Sequence, residues 1–491
     1  MTEMLENLTA LITFYLHQFV NFWTLSNIIL ILFWIALIVI IISSVFNVIY
    51  YLGYKFKKVN YIIKGGISTE LPIVSILMPI RSETLDVIER SVKQIIRQAY
   101  PKEKIELIII SDDEATYAEK IKRVVENLAK NTIHLKFIWR ENPKGKKAGA
   151  LNEGLRNAIG KYIVTIDADT WLPEDYIIKT ISYLENEKNI VAVISDIIPY
   201  NKEKEFGKIQ VAAWGFLKKT IFCGRQNLGF TIPVVGMCSV IRKAVLEEIG
   251  GWDESIVADD LGIWIRIMIK KYKTVFLPNV CAHIEVPETY KTFKNQQRRW
   301  AFGGVQVLRK YFRQLIFSDI SLITKLDALF YLLMYQFPLA NLLIFPITLL
   351  SLIFGRELFP ASYIFSVLFF IPLAAYTIAY FDSLREDDFN LKFIIRTLGS
   401  NAVLLVSLIP TILISTIKAI LGIDIDWRIT PKGKKFKESG IALQETFIGL
   451  FLVILSIYGI AHASVFITGL WLLSFGAAFT YTGFKTYKHI W

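Results

Sequence analysis

An Asp-Ala-Asp sequence, Asp167 to Asp169, is the first candidate for chemistry in this chain. It directly follows the apolar run 162–166. Two carboxylates one residue apart can share a hard divalent cation, which in turn binds the oxygens of a diphosphate. The alternative is a simple turn in which aspartate caps the end of a strand, and for this motif alone both interpretations are equally supported.

Acidic pairs occur at two further places. Asp112 and Asp113 follow another apolar run, and Asp259 and Asp260 precede a stretch whose pattern predicts an amphipathic helix. Acids at a helix start often only complement the helix dipole. A carboxylate there can equally act as a general base for a hydroxyl nucleophile.

Basic and aromatic groups complement these acids. Lys147 stands in the glycine-containing segment 142–152, where a lysine can meet phosphate as a point charge, although a solvated basic loop is the simpler interpretation. The spacing of a Walker A loop is absent. Gln296, Arg299 and Trp300 follow, and arginine suits phosphate while the indole suits either a sugar face or a membrane interface.

Such scattered groups must be brought together by the elements that carry them. Between residues 70 and 317, apolar runs typical of strands alternate with charged helical stretches, which predicts an α/β domain with a mostly parallel sheet. Ligands of open parallel sheets bind beyond the carboxyl ends of the strands. The first two aspartate pairs follow predicted strands, so we expect both at that edge.

The composition places this domain beside a membrane. The chain has 491 residues, 54% of them hydrophobic, a net charge of +12 and three cysteines, which excludes a disordered chain and a disulfide scaffold. The uncharged stretch 27–52 is long enough to cross a bilayer. Acids but no Lys or Arg precede it and Lys55 follows it, which predicts that the next domain is cytoplasmic. Basic membrane-facing loops then explain the charge without nucleic acid.

The remaining apolar segments predict five membrane spans in total. Residues 393–421 are expected to lie on the inner surface, because polar residues interrupt them and a crossing would place the basic segment 428–437 outside. Residues 9–23 predict an interfacial helix, with a further span as the alternative. Besides 27–52, the predicted spans are 329–354, 359–381 and the two halves of 447–484.

In this order the motifs resemble those of inverting, membrane-integrated family 2 glycosyltransferases, which include cellulose, hyaluronan and chitin synthases. The family pattern runs Asp-Asp-Gly, Asp-x-Asp, Glu-Asp and Gln-x-x-Arg-Trp, and the resemblance covers roughly residues 72–311. Glu114 replaces the glycine and Asp259 replaces the glutamate. Neither departure removes a group that the chemistry needs.

The resemblance implies a Rossmann-like glycosyltransferase-A domain inserted between transmembrane and interfacial helices. Three parts are expected: residues 1–54 with the first membrane helix, 70–317 with the catalytic domain, and 318–491 with the remaining membrane and interfacial helices. It also implies a role for each motif. The implied roles are uridine contact for Asp112 beside the Pro79–Glu83 turn, Mg²⁺ or Mn²⁺ binding for Asp167 and Asp169, compensation of the diphosphate charge by Lys147 and Arg299, acceptor positioning by Gln296 and Trp300, and general base catalysis by Asp260.

A further similarity lies after the catalytic domain. The segment 427–437 contains Thr430 and Lys432 and is similar to the gating loop of cellulose synthase, which closes over bound nucleotide. A basic loop held near anionic lipid is the simpler alternative.

The implied function is transfer of a hexose from a UDP-sugar to a growing β-linked polysaccharide, with processive export through the membrane. The alternatives are a single transfer to a membrane lipid, or a non-catalytic nucleotide-sugar-binding scaffold of an envelope complex. The expected partners are therefore a UDP-sugar, a polysaccharide or lipid acceptor and membrane lipids. A multi-pass protein of the cell membrane is expected, and the identity of the sugar stays open.

Overall fold

The computed structural model describes residues 25–56, 70–201, 203–358, 363–426, 442–488 and 490–491. The predictions made for residues 9–23, and those for Thr430 and Lys432 in the predicted gating loop, lie outside the described residues.

A seven-stranded sheet forms the centre of the α/β domain, in the order β3-β2-β1-β4-β6-β5-β7. Six strands are parallel, and β6 runs antiparallel between β4 and β5. The mostly parallel sheet is confirmed, and its carboxyl ends meet at one edge. The strands are β1 (Val74–Ile80), β2 (Ile105–Ser111), β3 (His134–Trp139), β4 (Tyr162–Thr165), β5 (Ile190–Pro199), β6 (Ser239–Arg242) and β7 (Lys273–Ile284).

Helices cover both faces of this sheet, which is why β2 and β4 are buried along their whole length. One core layer contains Ile88, Val125 and Ile181, and the other contains Leu151 and Trp264. The helices of the domain are α2 (Leu85–Ile96), α3 (Ala115–Ala129), α4 (Lys146–Asn157), α5 (Tyr176–Asn186), α6 (Glu205–Leu217), α7 (Arg225–Asn227), α8 (Lys243–Glu248), α9 (Asp259–Ile269) and α10 (Tyr290–Phe317), with a 3-10 turn at Lys102–Lys104 and a π-helical segment at Lys218–Gly224.

Apolar helices precede and follow the domain. Among the described residues, three helices are long and apolar enough to cross a membrane, namely Asn27–Phe56, Leu443–Ala461 and Ala463–Tyr487. These outer helices are α1 (Leu25–Phe56), α11 (Leu322–Leu332), α12 (Gln336–Phe354), α13 (Tyr363–Arg385), α14 (Leu391–Ser407), α15 (Ile409–Leu421), α16 (Leu443–Ala461) and α17 (Phe466–Tyr487), with a 3-10 turn at Ala463–Val465.

Two apolar segments are broken. Helices α14 and α15 bend by 48° at Leu408 and count as a fourth candidate span only if they are taken together. The segment 329–354 is divided at residues 333–335, and Leu329 packs against the core of the α/β domain. Five spans, with residues 393–421 on the inner surface, stay a prediction.

A buried ion pair joins α1, the first candidate membrane span, to the α/β domain. Arg225 donates to both carboxylate oxygens of Asp327, at 2.9 and 2.5 Å, and the Tyr50 hydroxyl of α1 donates to the same carboxylate at 2.5 Å. The guanidinium also lies 4.8 to 5.7 Å from the ring centres of Tyr50, Trp264 and Tyr331. Because both charges are essentially excluded from solvent, losing one partner leaves the other uncompensated.

We expect Asp327→Ala to lower the free energy of unfolding by about 3–5 kcal/mol, since the buried Arg225 would lose its counter-charge. Thermal unfolding of the purified full-length protein in detergent measures this. Asp319→Ala is the matched control, because Asp319 pairs with Lys271 but its side chain is 98% exposed. Similar midpoints for the two variants would show that the pair does not contribute to stability.

Candidate active site

Lys147 lies at the centre of the acidic groups at the carboxyl edge of the sheet. Its Nζ donates to Asp167 Oδ1 at 2.6 Å and to the carbonyl oxygen of Gly236 at 3.0 Å. A Cβ placed on Gly236 would be 3.3 Å from Asp260 Oδ2 and 3.6 Å from Lys147 Nζ. Asp167, Lys147 and Asp260 therefore belong to one site, as expected from the sequence.

The loop before α4 places Lys147 there. Gly145 and Lys146 both have positive φ angles, 71° and 53°, so the chain turns sharply just before the helix. Arg140 holds the loop through its guanidinium, which donates to the carbonyl oxygens of Lys144 at 2.9 Å and Lys146 at 3.1 Å. Since Lys147 begins the first regular turn, this loop fixes the direction of its side chain.

Asp112 lies at the end of β2, beside the turn that follows β1. Its backbone N–H donates to the Ile80 carbonyl oxygen at 3.1 Å, and the neighbouring Asp113 accepts from the Ser82 N–H at 2.6 Å. The Glu83 carboxylate accepts from the Arg81 N–H at 2.5 Å. The predicted donor-binding turn therefore lies next to Asp112.

Pro79, predicted to belong to this turn, instead lies within β1, where it pairs with Ile110 of β2, because the parallel pairing continues to Ile80. Asp112 itself pairs with Arg140 through both carboxylate oxygens. Sequence reasoning did not include this arginine.

Asp167 and Asp169 follow β4, and Asp169 is only 5% exposed. Cys238 lies close by with a φ of 60°, and burial together with these two carboxylates raises the pKa of its thiol well above the ordinary value. The thiol is therefore neutral, and the donor set is one of carboxylate oxygens, which suits Mg²⁺ or Mn²⁺.

Within the part of the chain that the structure describes, no group of three His, Cys, Asp or Glu could hold a metal ion. A cation held by Asp167 and Asp169 would take its other ligands from substrate oxygens and water, as Mg²⁺ commonly does. Lys147 pairs with Asp167, and metal binding by Asp167 and Asp169 stays a prediction.

Asp259 and Asp260 form the first turn of α9, as predicted. Burial and the Asp260 charge raise the pKa of Asp259 to about 7, and burial likewise raises the pKa of Asp260, against the effect of the Lys147 charge. A carboxylate with a raised pKa is a better proton acceptor at neutral pH. The Leu261 N–H donates to Asp260 Oδ1 at 2.8 Å, and the other carboxylate oxygen is the one near Gly236.

Helix α10 brings Arg299 to this edge. Burial and the neighbouring Arg298 lower the pKa of Arg299, and the Asp167 charge opposes that shift, so the guanidinium lies within electrostatic range of Asp167. Trp300 is 36% exposed. Among the described residues, no hydrogen bond joins Gln296 or Trp300 to Asp260, and their acceptor role stays a prediction.

Close packing sets the distance between α10 and α9. A Cβ on Gly303 would lie 2.6 Å from the Ala258 Cβ, so only glycine allows the helix this near to the segment before Asp260. Gln306 accepts from the Val257 N–H at 2.8 Å. These contacts hold the start of α9 against the helix that carries Arg299.

Sequence reasoning missed four residues that build the site. Asn152 exchanges two hydrogen bonds, each of 2.8 Å, with the backbone of Trp252 and so ties α4 to the loop that leads to α9. Arg140 and Asn152 lie beside or within the segment 142–152, and only that proximity could have suggested them. The other two residues stand outside every motif. The missed residues are Arg140, Asn152, Gly236 and Gln306.

Comparison with known proteins shows the family of the chain. Residues 162–382 match the model of the family described as glycosyl transferase family group 2. A probable glycosyltransferase of Sulfolobus acidocaldarius is 30% identical over 427 residues, which are 86% of this chain and 91% of that protein. The chain belongs to glycosyltransferase family 2.

Other relatives of the transferase act on polysaccharides. The poly-beta-1,6-N-acetyl-D-glucosamine synthase of Staphylococcus epidermidis is 26% identical over 70% of this chain and 83% of that protein. Probable glucomannan 4-beta-mannosyltransferase 7 of Oryza sativa is 26% identical over 56% of this chain, and the match spans only 47% of that protein.

The fold is similar to that of a solved mannosyltransferase. The mannosyltransferase PcManGT of Pyrobaculum calidifontis, solved with GDP-Man and Mn²⁺, has a TM-score of 0.56 and 19% identity over 80% of this chain and 100% of that structure. The predicted fold class and the prediction of a transferase are confirmed.

The position of Gly236 allows a test of the site. We expect Gly236→Ala to lower kcat/KM at least about tenfold, because the new methyl group would enter the space between Asp260 and Lys147. The thermal midpoint should stay close to that of the unmodified transferase. Gly399→Ala is the control, since a Cβ there meets nothing within 4 Å. Full activity of Gly236→Ala would place the reacting groups elsewhere.

Proposed function

We propose that this transferase moves a hexose from a UDP-sugar to a growing β-linked polysaccharide at the cytoplasmic face of a membrane. The observation that carries the proposal is the convergence of Lys147, Asp167 and Asp260 around Gly236. It puts a charge that binds diphosphate next to a carboxylate that can accept a proton. Transfer between a nucleotide sugar and a hydroxyl group needs both.

Asp260 is the proposed general base, which takes the proton of the acceptor hydroxyl as that oxygen attacks the anomeric carbon. Lys147 and Arg299 offset the negative charge of the departing diphosphate. A divalent cation held by Asp167 and Asp169 would supply further charge stabilisation there. A single displacement inverts the anomeric carbon, so an α-linked donor yields a β-linked product.

The route of the acceptor is proposed along α10. Arg298 donates to the Asp426 carbonyl oxygen at 2.6 Å, so the chain that leads into the predicted gating loop begins beside Arg299. This position supports a role of Thr430 and Lys432 in closing the nucleotide site. The exposed indole of Trp300 offers a flat face to an acceptor sugar next to the membrane helices.

The α/β domain is proposed to lie on the cytoplasmic side of the membrane. Lys55, at the end of α1, pairs with Asp382 and Glu386 of α13 at 2.8 and 2.6 Å. A basic helix end next to the catalytic domain agrees with the tendency of positive charges to stay inside. Relatives that synthesise polysaccharides support polymer synthesis over a single transfer to lipid.

Asp260→Asn should reduce transfer at least about a thousandfold while nucleotide affinity changes little, because the amide cannot accept the hydroxyl proton. Single-turnover transfer and calorimetric binding of UDP measure the two effects separately. Asp259→Asn, one residue away, is the matched control and should keep transfer within about tenfold, since Asp260 is the acid whose oxygen lies near Gly236. If Asp259→Asn were the inactive variant, the base would be assigned to the wrong carboxylate.

The product identifies the reaction. Membranes containing the transferase are incubated with labelled UDP-sugars, and the product is sized after treatment with a β-specific glycosidase. We expect a long polymer that this enzyme degrades, and no product in the presence of a metal chelator. A single labelled glycolipid would show one-step transfer, and undiminished synthesis in chelator would contradict the metal site.

A further inference from the structure

Asp112 and Arg140 form a paired contact at the carboxyl edge of the sheet. Nε of Arg140 donates to Oδ1 at 2.7 Å, and Nη2 donates to Oδ2 at 2.6 Å. The two side chains are only 12% and 6% exposed, so water competes weakly with the contact. Two parallel N–H groups thus occupy one lone pair on each carboxylate oxygen.

This geometry bears on which nucleobase the carboxylate can accept. Guanine has two parallel donors on its pairing edge, N1–H and N2–H, and these match the two oxygens of a carboxylate in the way that a guanidinium does. Uracil has one donor there, N3–H, which needs a single lone pair. A guanine would therefore compete with Arg140 for the same edge of Asp112, whereas a uracil can use a lone pair that the arginine leaves open.

The cost of displacing Arg140 adds to this difference. The guanidinium also holds the carbonyl oxygens of Lys144 and Lys146, so it cannot turn away without releasing the loop that positions Lys147. If guanine displaced Arg140 from Asp112, the mostly buried guanidinium would lose its carboxylate partner, which costs free energy. Rejection of a competing ligand by an unpaired charge is a common source of specificity.

We propose that Arg140 determines the nucleobase specificity of the transferase, directing Asp112 toward uracil and excluding guanine. It is also a positioning residue, because it joins the carboxylate on the nucleobase side to the loop on the diphosphate side. The inference rests on the proposed function, since it requires Asp112 to face the nucleobase of the donor. The fold alone does not determine the nucleobase, because the solved mannosyltransferase of similar fold is in complex with GDP-Man.

Nucleotide binding to the full-length transferase in detergent tests the proposal, with UDP and GDP titrated separately in the presence of Mn²⁺. The unmodified protein should bind UDP at least about tenfold more tightly than GDP. Arg140→Met should weaken UDP binding and bring the two affinities within about threefold of each other, because the carboxylate edge becomes open to guanine. Arg156→Met is the control and should keep both affinities, since among the described residues Arg156 pairs with the surface residue Glu153 and its side chain is 63% exposed.

Arg140→Lys is a second variant in case Arg140→Met does not fold. It keeps the charge but cannot donate two parallel N–H groups, so the UDP preference should again fall. A purely structural arginine would weaken both nucleotides by the same factor, and an unchanged ratio in the variants would overturn the proposal. Tighter binding of GDP by the unmodified protein would overturn the proposal for Arg140 but would remain consistent with a nucleotide-sugar transferase. Binding of neither nucleotide would remove the proposed function and this inference together.

Discussion

The site depends on one ammonium group that lies among several carboxylates. Asp167, Asp169, Asp259 and Asp260 crowd the carboxyl edge of the sheet, where like charges repel and burial makes ionisation costly. Lys147 bonds to Asp167, and its positive charge opposes the effect of burial, which raises the pKa of Asp260. The same charge is available to a diphosphate. The side chain that balances the charges of the folded site is therefore also the one proposed to bind the diphosphate of the substrate.

Rigid packing keeps these charges in place. The Arg140 contacts fix the loop in front of Lys147, and Gly303 lets α10 approach the start of α9 closely. Trp264 of α9 also contacts the buried Arg225, whose carboxylate partner Asp327 receives a hydrogen bond from Tyr50 of α1. The helix that carries the proposed base is therefore packed against α10 and connected through Arg225 and Asp327 to α1. Such support is what a preorganised catalytic group requires.

Much of this arrangement could be predicted from local pattern. Strands β1, β2 and β4 are continuous apolar runs ending in polar residues, and a buried parallel strand needs that pattern. The start of α9 at Asp259 was predicted from the change to helical periodicity. The antiparallel strand β6 was not predicted, because no local pattern sets its direction, which is decided by pairing with β4 and β5. The break at residues 333–335 was missed for a similar reason, since it lies inside a continuous apolar run.

By itself the amino-acid sequence determined which groups are available and at the ends of which elements they stand, because apolar periodicity and motif spacing are properties of neighbouring residues. It therefore indicated the α/β domain, the acidic groups at the sheet edge and the family that has them in this order. Only the tertiary structure decided that Lys147 bonds to Asp167 near Asp260, and that Arg140 pairs with Asp112. These partners are far apart along the chain, and their distances follow from how helices pack on the sheet. Local sequence carries no information about that packing at the scale of a hydrogen bond.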